Sequence, residues 1–136
     1  MSAESQWAVQ QAVKAKLDAA TALTAITSTR IYDHVPQDTI YPYVVLGEMN
    51  ATPMDTMTFT GMQIFLNVYC WSRNRGRREI RQMMEKIYEA LNRQALTITG
   101  QHHIDTLFVS SSTSQDSDGL TYYGQQTFLI RTEPTT

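Results

Sequence analysis

The chain has 136 residues with 42% apolar and 18% charged residues, a composition that excludes an intrinsically disordered protein. This length allows one domain with its own core, and we expect residues 1–136 to form a single domain. A net charge of −2 excludes a generally basic protein, and a single cysteine, Cys70, excludes a disulfide framework within the chain. The sequence has no stretch of roughly 18 apolar residues, which excludes a membrane-spanning helix.

The first forty residues are predicted to contain a helix followed by extended chain. Residues 4–20 hold good helix formers with apolar side chains at helical spacing, and a short helical turn is plausible at residues 21–26. Residues 31–42 contain Val35-Pro36 and Tyr41-Pro42, and a proline disfavours helical geometry in the residue before it. We therefore expect extended chain and turn there.

A hairpin is predicted next. Residues 43–49 and 62–71 are rich in β-branched and aromatic residues, which favour strands. The connecting loop, residues 51–60, is poor in large apolar groups that could pack on one another, so we expect it to be a mobile arm.

The second half repeats the order of helix and hairpin. Apolar residues from Ile80 to Leu91 form one stripe at helical spacing. Residues 103–112 and 122–132 then read as two strands joined through Asp118-Gly119, a turn signal. The order helix-hairpin-helix-hairpin predicts the α+β class: an antiparallel sheet of about four strands with two main helices and no need for a parallel crossover.

The second strand predicts two unlike faces of the sheet. Alternation puts its aliphatic residues and Cys70 on one face, and Phe65, Tyr69 and Trp71 on the other. If both helices lie on the aliphatic face, these aromatic residues form an uncovered patch of the kind that marks association sites. Alternatively, the N-terminal helix crosses the sheet and buries them.

A basic turn precedes the second main helix. It contains Arg73, Arg75, Arg77 and Arg78, where cations near a helix N-terminus are unfavourable by roughly 0.3–1 kcal/mol each. A solvated turn, a phosphate contact and a contact with acidic protein are the three interpretations. The net charge of −2 and the lack of a Gly-Lys-Ser/Thr phosphate loop favour acidic protein over nucleic acid.

Few residues in the sequence support a catalytic site or a metal site. His102, His103 and Asp105 cannot converge on one ion from a regular strand, because neighbouring side chains point to opposite faces. The loop from Ser114 lacks both anchoring carboxylates of a calcium loop, and Cys70 lies on the apolar strand face where a thiol is inert. We therefore predict no catalytic residue, metal, cofactor or small-molecule substrate.

Three segments together resemble a known family. Arg30-Ile-Tyr-Asp-His-Val-Pro-Gln with Tyr41-Pro-Tyr-Val-Val-Leu-Gly-Glu48, then Val68 to Glu79, then Asp116-Ser-Asp-Gly-Leu-Thr121 are similar to the small tail-completion proteins of long-tailed bacteriophages, which include tail terminators and tail-to-head joining proteins. The resemblance runs from about residue 8 to residue 132. Such proteins occur in phages, prophages and gene transfer agents.

The resemblance implies a structural role without catalysis. It implies a ring, typically of six copies, that caps the last ring of tail-tube protein, stops tube growth and presents a surface to the head connector protein. The resemblance also implies that DNA passes transiently through the lumen of the ring. Assembly would take place in the host bacterial cytoplasm, and the ring would then lie in the virion, at the neck or top of the tail.

Roles for individual residues follow as hypotheses. Arg73, Arg75, Arg77 and Arg78 would face a neighbouring subunit or the tube, and Phe65, Tyr69 and Trp71 would pack neighbouring subunits. The loop with Met54, Met57 and Phe59 would order on contact with the tube or the connector. The alternative is a small nucleic-acid-binding accessory protein that uses the cluster from Arg73 to Arg81.

Overall fold

The computed structural model describes residues 5–54 and 60–134, which form three helices and five strands. In chain order these elements are α1 (Gln6–Asp18), α2 (Thr21–Thr27), β1 (Ile31–Tyr32), β2 (Tyr43–Pro53), β3 (Met62–Ser72), α3 (Arg78–Leu91), β4 (Gln101–Gln115) and β5 (Tyr122–Pro134). The strands make one sheet in the order β1-β2-β3-β5-β4. The predicted α+β class is confirmed.

The sheet itself differs from the prediction, because it has five strands and is mixed. The brief extended segment at Ile31 and Tyr32 pairs in parallel with Val44 and Val45, while every other strand pair is antiparallel. A two-residue strand is too short to show an alternating pattern, so the sequence gives no sign of its pairing. The short helical turn near residue 21 is a third helix, α2.

Both hairpins are longer than predicted. β2 continues through Pro53, which pairs with Met62, so three residues of the predicted loop belong to the strand. Beyond them, the Met54 N–H donates to the Gly61 carbonyl at 2.9 Å. The rest of the predicted mobile arm, residues 55–59, lies outside the described residues.

All three helices contribute to one core, on one face of the sheet. Val9, Val13 and Leu17 of α1 belong to the same buried cluster as the β3 side chains and the α3 stripe. The Ser5 hydroxyl also contacts that of Thr132 at 3.0 Å, which ties the start of α1 to β5. Of the two alternatives for α1, the structure therefore has the helix on the same side as α3, and none of the helices in residues 5–54 and 60–134 lies on the opposite face of the sheet. We call this second face the open face.

Candidate interaction surface

A row of aromatic rings crosses one end of the open face. Tyr43, Trp71 and Tyr123 are cross-strand neighbours on β2, β3 and β5. The Tyr43 and Trp71 ring centroids are 6.3 Å apart, and those of Trp71 and Tyr123 are 5.1 Å apart, both in stacked geometry. Tyr41 and Tyr32 lie beside Tyr43, at 5.0 Å and 6.0 Å. We call these five rings the aromatic row.

The predicted patch is thus split between the aromatic row and the middle of the face. Trp71 lies in the row, whereas Tyr69 and Phe65 lie further along the same face of β3 with Asn67 between them, and all three aromatic residues are partly exposed. The Tyr69 hydroxyl donates to the Glu48 carboxylate, a bond that raises the pKa of Tyr69 to about 12 and lowers the pKa of Glu48. A Cβ at Gly47 would lie 2.4 Å from the Tyr69 ring, so glycine leaves the space that this ring fills.

Hydrogen-bonded polar side chains also lie on the open face, on either side of an apolar line formed by Phe65, Leu129 and Leu107. Asn67 accepts from Gln125 at 3.0 Å and from Thr127 at 2.8 Å. The Arg131 guanidinium forms an ion pair with Asp105 and holds the pKa of that carboxyl below its usual range. The open face therefore mixes partly exposed aromatic and aliphatic side chains with polar ones, a combination that protein interfaces also show.

Arg73 in the basic turn serves the fold itself. Its guanidinium donates to the Thr121 hydroxyl at 3.1 Å, lies 3.9 Å from the Asp118 carboxylate and stacks 4.4 Å from the centre of the Tyr41 ring. These contacts join the turn before α3 to the turn between β4 and β5. The sequence could not indicate this role, because the partners of Arg73 are remote in the chain.

The arrangement of charges at the N-terminus of α3 is also less unfavourable than predicted. Glu79 supplies an acidic side chain in the first turn of the helix and accepts from the Ser72 hydroxyl at 2.6 Å. The same hydroxyl accepts from the Asn74 N–H at 3.1 Å. The predicted conflict between the arginines and the helix dipole is therefore offset locally, through a residue that sequence reasoning passed over.

The other predicted arginines are more available. Arg77 lies 5.3 Å from the centre of the Tyr122 ring. Arg75 and Arg78 are exposed, and their side chains have no hydrogen bond or ion pair with any residue in the described ranges. Of the four, these two are best placed to contact a partner.

The remaining predicted residues and groups have ordinary surroundings. Met54 is partly buried at the end of the first hairpin, while Met57 and Phe59 lie outside the described residues. The described ranges contain no group of three metal-ligating side chains. His103 contacts the Thr106 hydroxyl at 2.7 Å, and burial raises the pKa of the Cys70 thiol. None of the described helices is long and apolar enough to cross a membrane.

Comparison with known proteins decides the family. A family model described as tail completion protein gp17 matches residues 11–133 of the chain. The chain belongs to the tail completion protein gp17 family. It is 30% identical over 88 residues to the tail completion protein gp17 of Bacillus phage SPP1, and this alignment covers 65% of the chain and 65% of the relative. The predicted resemblance is confirmed, and the family is one of phage structural proteins rather than an enzyme class.

Two solved structures share the fold of this gp17 family member. A chain in the virion of a native gene transfer agent particle superposes with a TM-score of 0.89, covers 97% of this chain and 99% of its own length, and is 21% identical. The bacteriophage SPP1 gp17 protein gives a TM-score of 0.61 at 24% identity, with coverage of 96% and 91%. At 21% and 24% sequence identity, the structural similarity establishes a shared fold.

Proposed function

We propose that this chain is a structural protein of a phage-type tail, which forms a ring that caps the tail tube and offers a docking surface for the head connector. Family membership supports the tail role, and the shared fold with a chain of a gene transfer agent virion supports a place in a particle. Six copies per ring, assembly in the bacterial cytoplasm and transient passage of DNA through the lumen belong to the same proposal.

The observation that carries this proposal is the open face. Although Tyr43 in the aromatic row is itself buried, Trp71, Tyr69 and Phe65 stay partly exposed on the open face, and association would cover this apolar surface. The face belongs to the 5-stranded sheet whose other side packs against the chain's own helices. We infer that another copy or a tail component covers this face in the assembled tail.

The two exposed arginines favour an acidic protein surface as the partner at one end of the molecule. Arg75 and Arg78 project from the turn before α3, while Arg73 and Arg77 are held by internal contacts. A guanidinium can form bidentate contacts with carboxylates, which suits docking on a protein. We assign Arg75 and Arg78 to the tube-facing or connector-facing surface.

The test is the oligomeric state, measured alone and with the tail-tube protein. Native mass spectrometry of the purified chain mixed with tail-tube protein should show a closed ring bound to the tube. Tail-tube protein is included because ring formation can require this partner. Arg75→Glu together with Arg78→Glu should weaken tube binding at least tenfold, and the control Arg93→Glu should leave it unchanged. A chain that stays monomeric at high concentration and with tail-tube protein would contradict the proposal.

Nucleic-acid binding is the second candidate, favoured by the exposed Arg75 and Arg78 near Arg81 on α3. It predicts that a monomeric chain binds DNA and loses affinity steeply as salt is raised. Fluorescence anisotropy with a labelled duplex at two salt concentrations separates the candidates, because the ring proposal expects no such binding by the monomer.

A further inference from the structure

The outer edge of β4 is open over its second half. The linker after α3 covers the first half, where the Arg93 N–H donates to the Thr106 carbonyl at 2.7 Å and the Phe108 N–H donates to the Asn92 side chain at 2.9 Å. From Val109 to Gln115 no residue in the described ranges hydrogen-bonds this edge. The backbone there is extended and ready to pair.

The alternation of antiparallel pairing identifies the unpaired groups. The Phe108 N–H points away from β5, toward the Asn92 side chain. Because inward and outward residues alternate again beyond the bulge at Val109, the backbone N–H and C=O groups of Ser111 and Thr113 also point away from β5. This stretch, Val-Ser-Ser-Ser-Thr-Ser-Gln, contains neither charge nor proline. Those are the usual devices that keep an edge strand from pairing with another chain.

A second open edge lies at the opposite side of the sheet. β1 pairs only with Val44 and Val45, so the outer side of β2 from Leu46 to Pro53 has no backbone partner in the described part of the chain. The same alternation directs the backbone groups of Met49 and Ala51 outward. The two open edges have nearly equal lengths.

The strand directions make these edges compatible. β2 and β3, β3 and β5, and β5 and β4 are each antiparallel, so β2 and β4 run in opposite directions at the two sides of the sheet. Copies related by rotation about a ring axis would bring β4 of one copy beside β2 of the next as an antiparallel pair. Such head-to-tail contacts form a ring when the rotation between neighbouring copies closes.

We propose that the open edge of β4 binds the open edge of β2 of a second copy, which continues the sheet from one subunit to the next around the ring. The inference rests on the proposed ring function and names the surfaces through which subunits meet. Backbone hydrogen bonds would supply the contact, as in other strand-addition complexes, and the open face would become continuous across subunits.

A groove beside β4 supports this arrangement. It has a volume of about 420 Å³ between α3 and β4, with Met84, Tyr88 and Phe108 among its lining residues. In the proposed pairing, β2 of the neighbouring copy would place its Met49 and Ala51 side chains on the helix side of the sheet, beside these apolar lining residues.

Cysteine crosslinking tests the pairing directly. Asn50 and Thr52 on β2, and Ser110, Ser112 and Ser114 on β4, have side chains on the open face, and directly paired positions place Cβ atoms about 4.5–5.5 Å apart. Rings assembled on tail-tube protein from double variants such as Asn50→Cys with Ser112→Cys should form a ladder of covalent oligomers on mild oxidation. The six pairings of these β2 and β4 positions cover the register.

Two controls make the result decisive. Single-cysteine variants and the pair Asn50→Cys with Gln11→Cys, on the outer side of α1, should give no ladder. Thr113→Pro removes one outward N–H and should reduce ring formation at least tenfold, whereas Thr113→Ala keeps that N–H and should assemble normally. Circular dichroism and a monomer mass would show that Thr113→Pro still folds.

The outcomes separate this inference from the proposed function. Rings that form while none of the six pairings crosslinks, or while Thr113→Pro assembles normally, would overturn the strand pairing and leave the ring function standing. A wild-type chain that forms no ring with tail-tube protein would overturn both. A ladder that depends on both cysteines supports both.

Discussion

The two faces of the sheet are built from alternate residues of the same strands and differ sharply in what covers them. On β3, Ile64, Leu66 and Val68 are fully buried beneath the helices, whereas Phe65, Tyr69 and Trp71 remain partly exposed on the open face. One face therefore carries the folding free energy of the isolated chain. The other face exposes aromatic surface, which contributes fully to stability only when a neighbouring molecule covers it.

The largest expected difference is in stability. Phe128→Ala removes a fully buried ring from the helix-covered face and should lower the free energy of unfolding by about 3–5 kcal/mol. The control Leu129→Ala, next in sequence but partly exposed on the open face, should cost about 1 kcal/mol. Urea unfolding followed by circular dichroism measures both, and equal losses would show that the open face is as tightly packed as the core.

The second prediction concerns the aromatic row. Trp71→Ala removes two ring contacts and should cost about 1–2 kcal/mol in the isolated chain, while ring formation with tail-tube protein falls at least tenfold. Trp7→Ala is the control, because Trp7 is 66% exposed on α1, away from the open face. Native mass spectrometry reports assembly; normal rings from Trp71→Ala would remove the aromatic row from the interface.

The basic turn offers a similar comparison within one segment. Arg73→Ala loses the bond to Thr121 and the contact with Tyr41, and should lower stability by about 1 kcal/mol. Arg75→Ala should change stability by less than about 0.5 kcal/mol, because the exposed side chain has no partner in the described ranges. Thermal unfolding tests the pair, and the reverse order of effects would contradict the separation of structural from partner-facing arginines.

The smallest effect concerns the ion pair on the open face. Asp105→Asn should cost about 0.5–1 kcal/mol at pH 7, since both side chains of the Asp105–Arg131 pair are about one-third exposed to solvent. The pKa of Asp105 lies below its ordinary value of 3.8, so its contribution is present above that value and is lost as the pH falls through the lowered pKa. The difference between wild type and variant should shrink from pH 7 to pH 3, and a constant difference would exclude this origin.

Local patterns predicted much of the fold. The apolar stripe of α3 and the alternation in β3 each identify the buried face of their own element, so these faces are predictable without knowledge of the strand pairing. The pairing of β1 and the position of α1 depend on contacts remote in sequence, and neither has a local signature. The predicted four-strand antiparallel sheet was wrong for this reason.

The candidate surface was predicted less completely. Trp71 was identified from its strand face, but its neighbours Tyr43 and Tyr123 required the registers of two strand pairs. Arg73 was grouped with the other arginines because its partners Asp118 and Thr121 lie on the far hairpin. The roles of these residues in a ring stay predictions.

The most direct test of the proposed capping role is electron microscopy of tails produced with the gene for this chain deleted and the other tail genes intact. The account predicts overlong or headless tubes, restored to normal length and headed particles by the wild-type gene and not by the Trp71→Ala variant. Headed particles with tails of normal length in the deletion would contradict it.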